Sequence, residues 1–116
     1  MNRGDVVLVD FPYTSGLQSK VRPAVVVQND RDNQRLSKTI VAMVTGNVRR
    51  AGEPTHLLLD PSLPEHAALG LHAKSLVVCV NLFTIEQTSV VRTIGQLSGT
   101  LFDQLNDCLR AALALA

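Results

Sequence analysis

The strongest constraint on the fold is a series of short apolar runs, each ended by turn-forming residues, followed by one helical repeat near the end of the chain. Such runs are typical of buried strands, and no helical segments alternate with them as βαβ units require. This order favours a mainly β domain, either a small barrel or a strongly bent sheet, with one helix packed on it. The predicted strands are Val6–Val9, Pro23–Gln28, Thr39–Thr45, Thr55–Leu59, Ser75–Val80 and Val90–Leu97.

The last segment repeats apolar residues at three-to-four spacing, which predicts an amphipathic helix. Thr100 followed by Asp103 predicts a capping box at its start. Gly95, inside the last strand, predicts a bulge or a close approach of another backbone. The apolar stripe comprises Leu97, Leu101, Leu105, Cys108, Leu109, Ala112 and Leu113, and the predicted irregular segments are Tyr13–Val21, Asn29–Ser37 and Ser62–Ala73.

The length of 116 residues predicts a single domain, residues 1–116, that can bury a core without metal or disulfide staples. Cys79 and Cys108 lie in apolar surroundings with no metal-ligand spacing, so we expect buried, reduced thiols. The first residues lead directly into a strand pattern, and no apolar run reaches the ~18–20 residues that span a bilayer. A cytoplasmic protein is expected.

Positive charge is concentrated in one part of the chain. The net charge is only +1, yet Lys20 to Arg50 holds seven basic residues against two acidic ones. A solvated surface would explain this excess, and so would a basic face for an anionic ligand. Aromatic residues make up only 3% of the chain, which argues against a large surface for stacking bases.

Arg22 and Thr45 are the residues best placed for chemistry. Arg22 precedes Pro23 at the start of an apolar strand, where it could form a surface ion pair or act as a phosphate clamp, because its planar cation donates two parallel hydrogen bonds. The proline restricts the backbone beside it. Thr45 ends another apolar strand before Gly46, so its hydroxyl could bond nearby backbone or a phosphate.

The three histidines, His56, His66 and His72, have no sequence neighbour expected to tune them, so a catalytic histidine pair is not favoured. The sequence also lacks a nucleophile elbow, a phosphate-cradling glycine loop and a metal-binding box. The residues alone therefore leave two readings of Arg22 open, a surface ion pair at the strand start and an anion-binding role.

Five stretches stand in order along the chain: RGDVVLVDF, VRPAVVVQND, IVAMVTGN, PTHLLLD and FTIEQ. In this order they resemble the MazF/PemK family of toxin endoribonucleases from type II toxin–antitoxin systems. The resemblance extends from Arg3 to the last helix. Its most specific part is VRPAVVVQND followed by a strand that ends in Thr-Gly.

The resemblance implies an SH3-like small barrel with a C-terminal helix, and a homodimer. It implies cleavage of single-stranded RNA by attack of the 2′-hydroxyl, with neither metal nor cofactor, and a cognate antitoxin that covers the same groove. It assigns catalysis to Arg22 and Thr45. The residues expected to contact RNA are Gln18, Lys20, Asn29, Asn47 and Ser75.

The chain departs from the family pattern in two places. Phe83 stands where many relatives have arginine, and Val77–Val80 holds no ionisable group where some relatives place an arginine and an aspartate. Two alternatives to a ribonuclease therefore stay open. One is a non-catalytic toxin of the gyrase-poison type, and the other is an inactive homologue that titrates an antitoxin.

Overall fold

The computed structural model describes residues 1–12 and 19–116, which form one curled antiparallel sheet and two α-helices. The six strands lie in the order β4-β5-β3-β2-β1-β6. A mainly β fold with a C-terminal helix was predicted, and it is confirmed. The elements are β1 (Asp5–Pro12), β2 (Ser19–Val26), α1 (Asp30–Arg35), β3 (Lys38–Thr45), β4 (His56–Leu59), β5 (Ser75–Glu86), β6 (Val90–Gln96) and α2 (Thr100–Leu113), with 3₁₀ turns at Pro64–Leu69 and Gln87–Ser89.

One face of the sheet packs against α2, and we call it the helix face. Alternate strand residues such as Val25 and Val77 are fully buried here. They meet the apolar stripe of the helix, whose centre is the fully buried Leu105. Burial of this stripe stabilises the helix far more than its own propensity would. Cys79 and Cys108 lie in the same core and are both free thiols, as expected.

The opposite face, which we call the cavity face, carries a second and smaller core. The curl of the sheet brings residues of β1, β2 and β3 together on this face, and these residues are completely buried. This core ends toward the last residues of β3, where polar side chains replace the apolar ones on the same face. Its buried members are Val7, Val9, Ala24, Val26 and Val41.

Strand β5 is twelve residues long, twice the predicted length, because it pairs with β3 along almost the whole of both strands. The ladder is interrupted where Ala42 pairs with Leu82 while the next residue, Met43, pairs with Val78. The extra residues Cys79–Asn81 form a bulge that bends the strand. The half of β5 before the bulge also pairs with β4.

The prediction for Asn29–Ser37 was wrong, since the segment contains the short helix α1. Asn29 is its N-cap, and its side-chain oxygen accepts a hydrogen bond of 2.9 Å from the backbone N–H of Asp32. The capping box at Thr100 was also wrong, because the N-cap of α2 is Gly99 and no side chain caps it. The Ser62–Ala73 segment includes the 3₁₀ turn.

Gly95 marks a close approach of two backbones, as its position predicted. A Cβ atom there would collide with the backbone of Ala68 and Leu69, and Gly70 meets Ile94 in the same way. The register of β6 against β1 also shifts beside Gly95, which is the predicted bulge. No helix in the described part of the chain is long and apolar enough to cross a membrane.

Candidate active site

Arg22 and Thr45 lie on the neighbouring strands β2 and β3, just beyond the residues that pair. Ala24 pairs with Met43 in this antiparallel ladder, so the same register continued by two residues places Arg22 opposite Thr45. Residues directly opposite each other project from the same face of a sheet. That face is the cavity face, because Ala24 contributes to its core.

The side chain of Arg22 is partly buried against the sheet. Arg22 pairs with Val9 of β1, its side chain is half-buried and its Nε atom is fully buried. The register of the strands therefore directs this cation along the cavity face rather than leaving it on a free surface. Lys20, two residues earlier, is exposed and by strand alternation lies on the same face.

Thr45 borders a cavity of about 580 Å³ at the end of β3. Its Oγ1 accepts a hydrogen bond of 3.2 Å from the backbone N–H of Asn47, whose own Oδ1 accepts one of 3.1 Å from the N–H of Arg49. These two bonds order the turn that leaves the strand. The cavity is lined by Thr45, Asn47, Arg49, Arg50, His56, Leu76 and Val78.

The cavity has an apolar base and a cationic rim. Leu76 and Val78 of β5 contribute the base, and the exposed side chains of Arg49 and Arg50 contribute the rim. Arg50 forms an ion pair of 3.3 Å with Glu53, and this exposed pair adds little to stability. The combination suits a ligand with a flat apolar part and anionic groups.

Sequence reasoning missed one residue of this site. His56 has polar neighbours at Nδ1, the Oγ1 of Thr55 at 2.9 Å and a carboxylate oxygen of Glu53 at 3.9 Å. The Nδ1 of His66 accepts a hydrogen bond of 2.7 Å from the N–H of Asp60. Only His56 lines the cavity. The Thr55-His56 pair at a strand start was the available signal.

Three of the remaining predicted RNA contacts lie elsewhere or outside the described residues. Asn29 caps α1, and the Oγ of the buried Ser75 donates to the carbonyl of Ala73 at 3.1 Å. By strand alternation Ser75 points to the helix face, away from the cavity. Gln18 lies outside the described residues.

Phe83, at the position of the missing family arginine, contacts Phe11 edge to face, with 5.6 Å between the ring centroids. It is 43% exposed and lies on the cavity face, since it pairs with Val41. An aromatic pair therefore occupies the part of this face where, by the family resemblance, many relatives have an arginine.

A family model described as PemK-like, MazF-like toxin of type II toxin–antitoxin systems matches residues 2–113. The chain belongs to this toxin family. Among the relatives of this MazF-like toxin, Endoribonuclease EndoA of Bacillus subtilis is 30% identical over 116 residues, which are 99% of this chain and 96% of EndoA.

Solved structures agree with the fold. Mycobacterium tuberculosis toxin MazF-mt6 superposes with a TM-score of 0.77 at 25% identity, covering 97% of the MazF-like toxin and 98% of MazF-mt6. An endoribonuclease in complex with its cognate antitoxin, from a mycobacterial species, also has a TM-score of 0.77, at 22% identity over 100% of this chain and 97% of that one.

Proposed function

We propose that this toxin is an endoribonuclease that cleaves single-stranded RNA, such as mRNA, at short sequences and without a metal ion. The observation that carries the proposal is the strand register, which puts Arg22 and Thr45 on adjacent strands and on one face, together with the cavity with a cationic rim that Thr45 borders. The name of the relative EndoA supports the same reaction.

RNA contains its own nucleophile. The ribose 2′-oxygen attacks the adjacent phosphorus, the P–O2′ bond forms, the bond to the 5′-oxygen breaks, and a 2′,3′-cyclic phosphate remains. Negative charge grows on the non-bridging oxygens in the transition state. A guanidinium already aimed at them lowers the barrier, because it needs no reorganisation when the charge develops. We assign this role to Arg22.

The hydroxyl of Thr45 is the neighbouring polar group. It already accepts a hydrogen bond from the N–H of Asn47, so its proton is free to point toward a phosphate oxygen or the attacking hydroxyl. Holding the 2′-oxygen in line with the leaving group contributes much of the remaining acceleration. The need for a 2′-hydroxyl restricts the reaction to RNA.

RNA on either side of the scissile phosphate would follow the positive charges. Lys20 precedes Arg22 on the same face, and Arg49 and Arg50 lie beyond Thr45. We retain Lys20 and Asn47 as RNA contacts, and Gln18 as one from outside the described residues. The side chains of Asn29 and Ser75 form local hydrogen bonds in the fold, and their contact with RNA stays a prediction.

We further propose a homodimer, a cytoplasmic location and an acidic antitoxin segment that covers the cationic cavity. Val80 and Phe83 of β5 are 60% and 43% exposed, and a second subunit packed on this strand would cover them. The structural neighbour crystallised with its cognate antitoxin supports the second partner. Positive charge on Arg49 and Arg50 would attract carboxylates as well as phosphates.

Arg22→Ala is the decisive test. We expect a fall of at least ~10²–10³-fold in the single-turnover cleavage rate, since removing one transition-state donor costs about that much. The assay first maps ends in cellular RNA cut by the wild-type chain without metal. It then uses a defined oligonucleotide and its analogue with a 2′-deoxy scissile nucleotide, and looks for cyclic-phosphate ends.

Arg35→Ala is the matched control, because Arg35 is exposed on α1, where it pairs with Asp32 at 2.7 Å. It should cleave like the wild type. Cleavage by the Arg22 variant at the wild-type rate would refute the role of Arg22. Wild-type protein that leaves all RNA intact but inhibits DNA gyrase would support the protein-binding alternative instead.

A further inference from the structure

The site described so far lacks a group that removes the proton from the 2′-hydroxyl. Arginine side chains stay protonated at any working pH, so Arg22, Arg49 and Arg50 are poor bases. Thr45 and Asn47 have no basic nitrogen. Among the described residues that line the cavity, His56 is the one side chain able to accept a proton near neutral pH.

The surroundings of His56 hold its ring in one orientation. The side chain is only 8% exposed, and it begins strand β4 with Nδ1 next to the hydroxyl of Thr55 at 2.9 Å. A carboxylate oxygen of Glu53 lies 3.9 Å from the same nitrogen. This carboxylate is beyond hydrogen-bond distance, but its negative charge lies nearest Nδ1 and favours the tautomer that carries the proton there, with the Thr55 hydroxyl as the acceptor.

This tautomer leaves a lone pair on Nε2. Within the described residues Nε2 has no hydrogen-bond partner, and it is not one of the fully buried polar atoms that lack one. One nitrogen of the ring is thus oriented from behind while the other can accept a proton, an arrangement that general-base histidines share. Glu53 would also stabilise the imidazolium after the transfer.

The strand register brings His56 to the same cavity as Thr45. His56 pairs with Val78 of β5, and Thr45 pairs with Leu76 of the same strand from the other side. Both therefore project from the cavity face and border the apolar base formed by Leu76 and Val78. The volume of about 580 Å³ falls within the ~300–1,000 Å³ of small-molecule sites, so a nucleotide fits between them.

We propose that His56 is the general base of the cleavage reaction, an assignment that rests on the proposed function. Nε2 takes the proton of the 2′-hydroxyl as the P–O2′ bond forms. The 5′-oxygen leaves with the electron pair of its bond to phosphorus and takes a proton from water. The imidazolium returns its proton to solvent, so no oxidant, metal or cofactor enters the balance.

The charged groups around His56 determine how its protonation affects the rate. Glu53 and Arg50 approach from the segment before β4, Arg49 lies on the rim, and β5 presents only Leu76 and Val78. A general base acts in its unprotonated form, so we expect the rate to rise with pH and then level off.

The test measures single-turnover cleavage against pH for wild type, His56→Asn and His56→Gln. We expect both variants to cleave ~10²–10⁴-fold more slowly at the plateau, the usual contribution of a positioned base, and to lose the rising limb. Asparagine keeps a polar atom near the position of Nδ1, and glutamine keeps one near Nε2. A melting curve shows which of the two variants folds, and that variant is used.

His72→Gln is the control, because His72 is exposed and lies outside the cavity. This variant should keep the rise of the rate with pH.

A binding measurement distinguishes a role of His56 in catalysis from a role in RNA affinity. The RNA analogue with a 2′-deoxy scissile nucleotide should bind the folded His56 variant with the wild-type Kd. A variant that keeps the rising limb, or whose whole deficit is lost affinity, would overturn the assignment while the ribonuclease proposal stands. If the wild-type chain cuts no RNA, the ribonuclease proposal fails and the assignment fails with it.

Discussion

The two faces of the sheet use the same strands for different purposes. On the helix face, apolar side chains meet α2 and bury two free thiols. On the cavity face, a small core closes under the curl of the sheet, and beyond it the same alternate positions carry Arg22, Thr45 and His56. Strand alternation thus lets one element stabilise the fold with one side and present polar groups with the other.

This division explains how a short chain keeps a rigid site. The strands that carry Thr45 and His56 are anchored from behind by the helix core, through residues such as Val44 and Leu57. Site residues on strands are held more precisely than residues on loops. Changes on the helix face should therefore alter stability, and changes on the cavity face should alter activity.

The largest effect is expected on the helix face. Leu105→Ala removes a fully buried side chain at the centre of the α2 stripe and should lower the free energy of unfolding by about 2–5 kcal/mol. Urea denaturation measures it, and the cleavage rate per folded molecule should not change. Leu113→Ala, at a position that is 51% exposed, is the control and should shift stability by only about 0.5 kcal/mol. Equal losses in both would contradict this division.

A smaller effect is expected from Thr45→Val on the cavity face. Valine keeps the shape and removes the hydroxyl, so cleavage should slow by ~10–100-fold, in line with the ~1.5–3 kcal/mol of a hydrogen bond to a charged group. Stability should change little, because the hydroxyl makes one peripheral bond of 3.2 Å. Thr84→Val, exposed on β5 outside the cavity, should leave the rate unchanged. If the Thr45 variant were less stable but fully active per folded molecule, Thr45 would have a structural role and not a catalytic one.

A third effect concerns the thiols of the helix face, and it is smallest at neutral pH, where both the folded and the unfolded chain keep the proton. Burial, with a contribution from Cys108, raises the pKa of Cys79 to about 12 from the ordinary 9.0. The unfolded chain therefore loses this proton first, and stability that is complete below about pH 9 should decline as pH rises toward 12. The decline should be shallower in Cys79→Ala.

Alkylation measures the same property directly. Iodoacetamide should label the folded chain slowly at pH 8 and label both cysteines after urea is added, because only the thiolate reacts and burial suppresses it. Rapid labelling of Cys79 in the folded chain would show that the helix face opens.

The apolar pattern of the sequence predicted the elements whose buried residues form a continuous run or a regular spacing. The strand at Thr39–Thr45 was recognised as a short apolar run that ends at a turn, and the stripe of α2 was recognised by its three-to-four spacing. Helix α1 was missed because six residues carry too few turns for a periodic signal, although Asn29 is a good N-cap. The second half of β5 was missed because Leu82–Glu86 is largely exposed and is held by pairing with β3.

For this toxin, local pattern and family resemblance sufficed to name the fold, its single long helix, and Arg22 and Thr45 as the residues to examine. That His56 lines the same cavity as Thr45 was decided by the tertiary structure. Strand β5 separates it from Thr45 in the sheet, and the bulge and register of that strand bring the two to one cavity. Register arises from contacts between residues distant in the chain, and a shift by one residue would turn His56 toward the helix face.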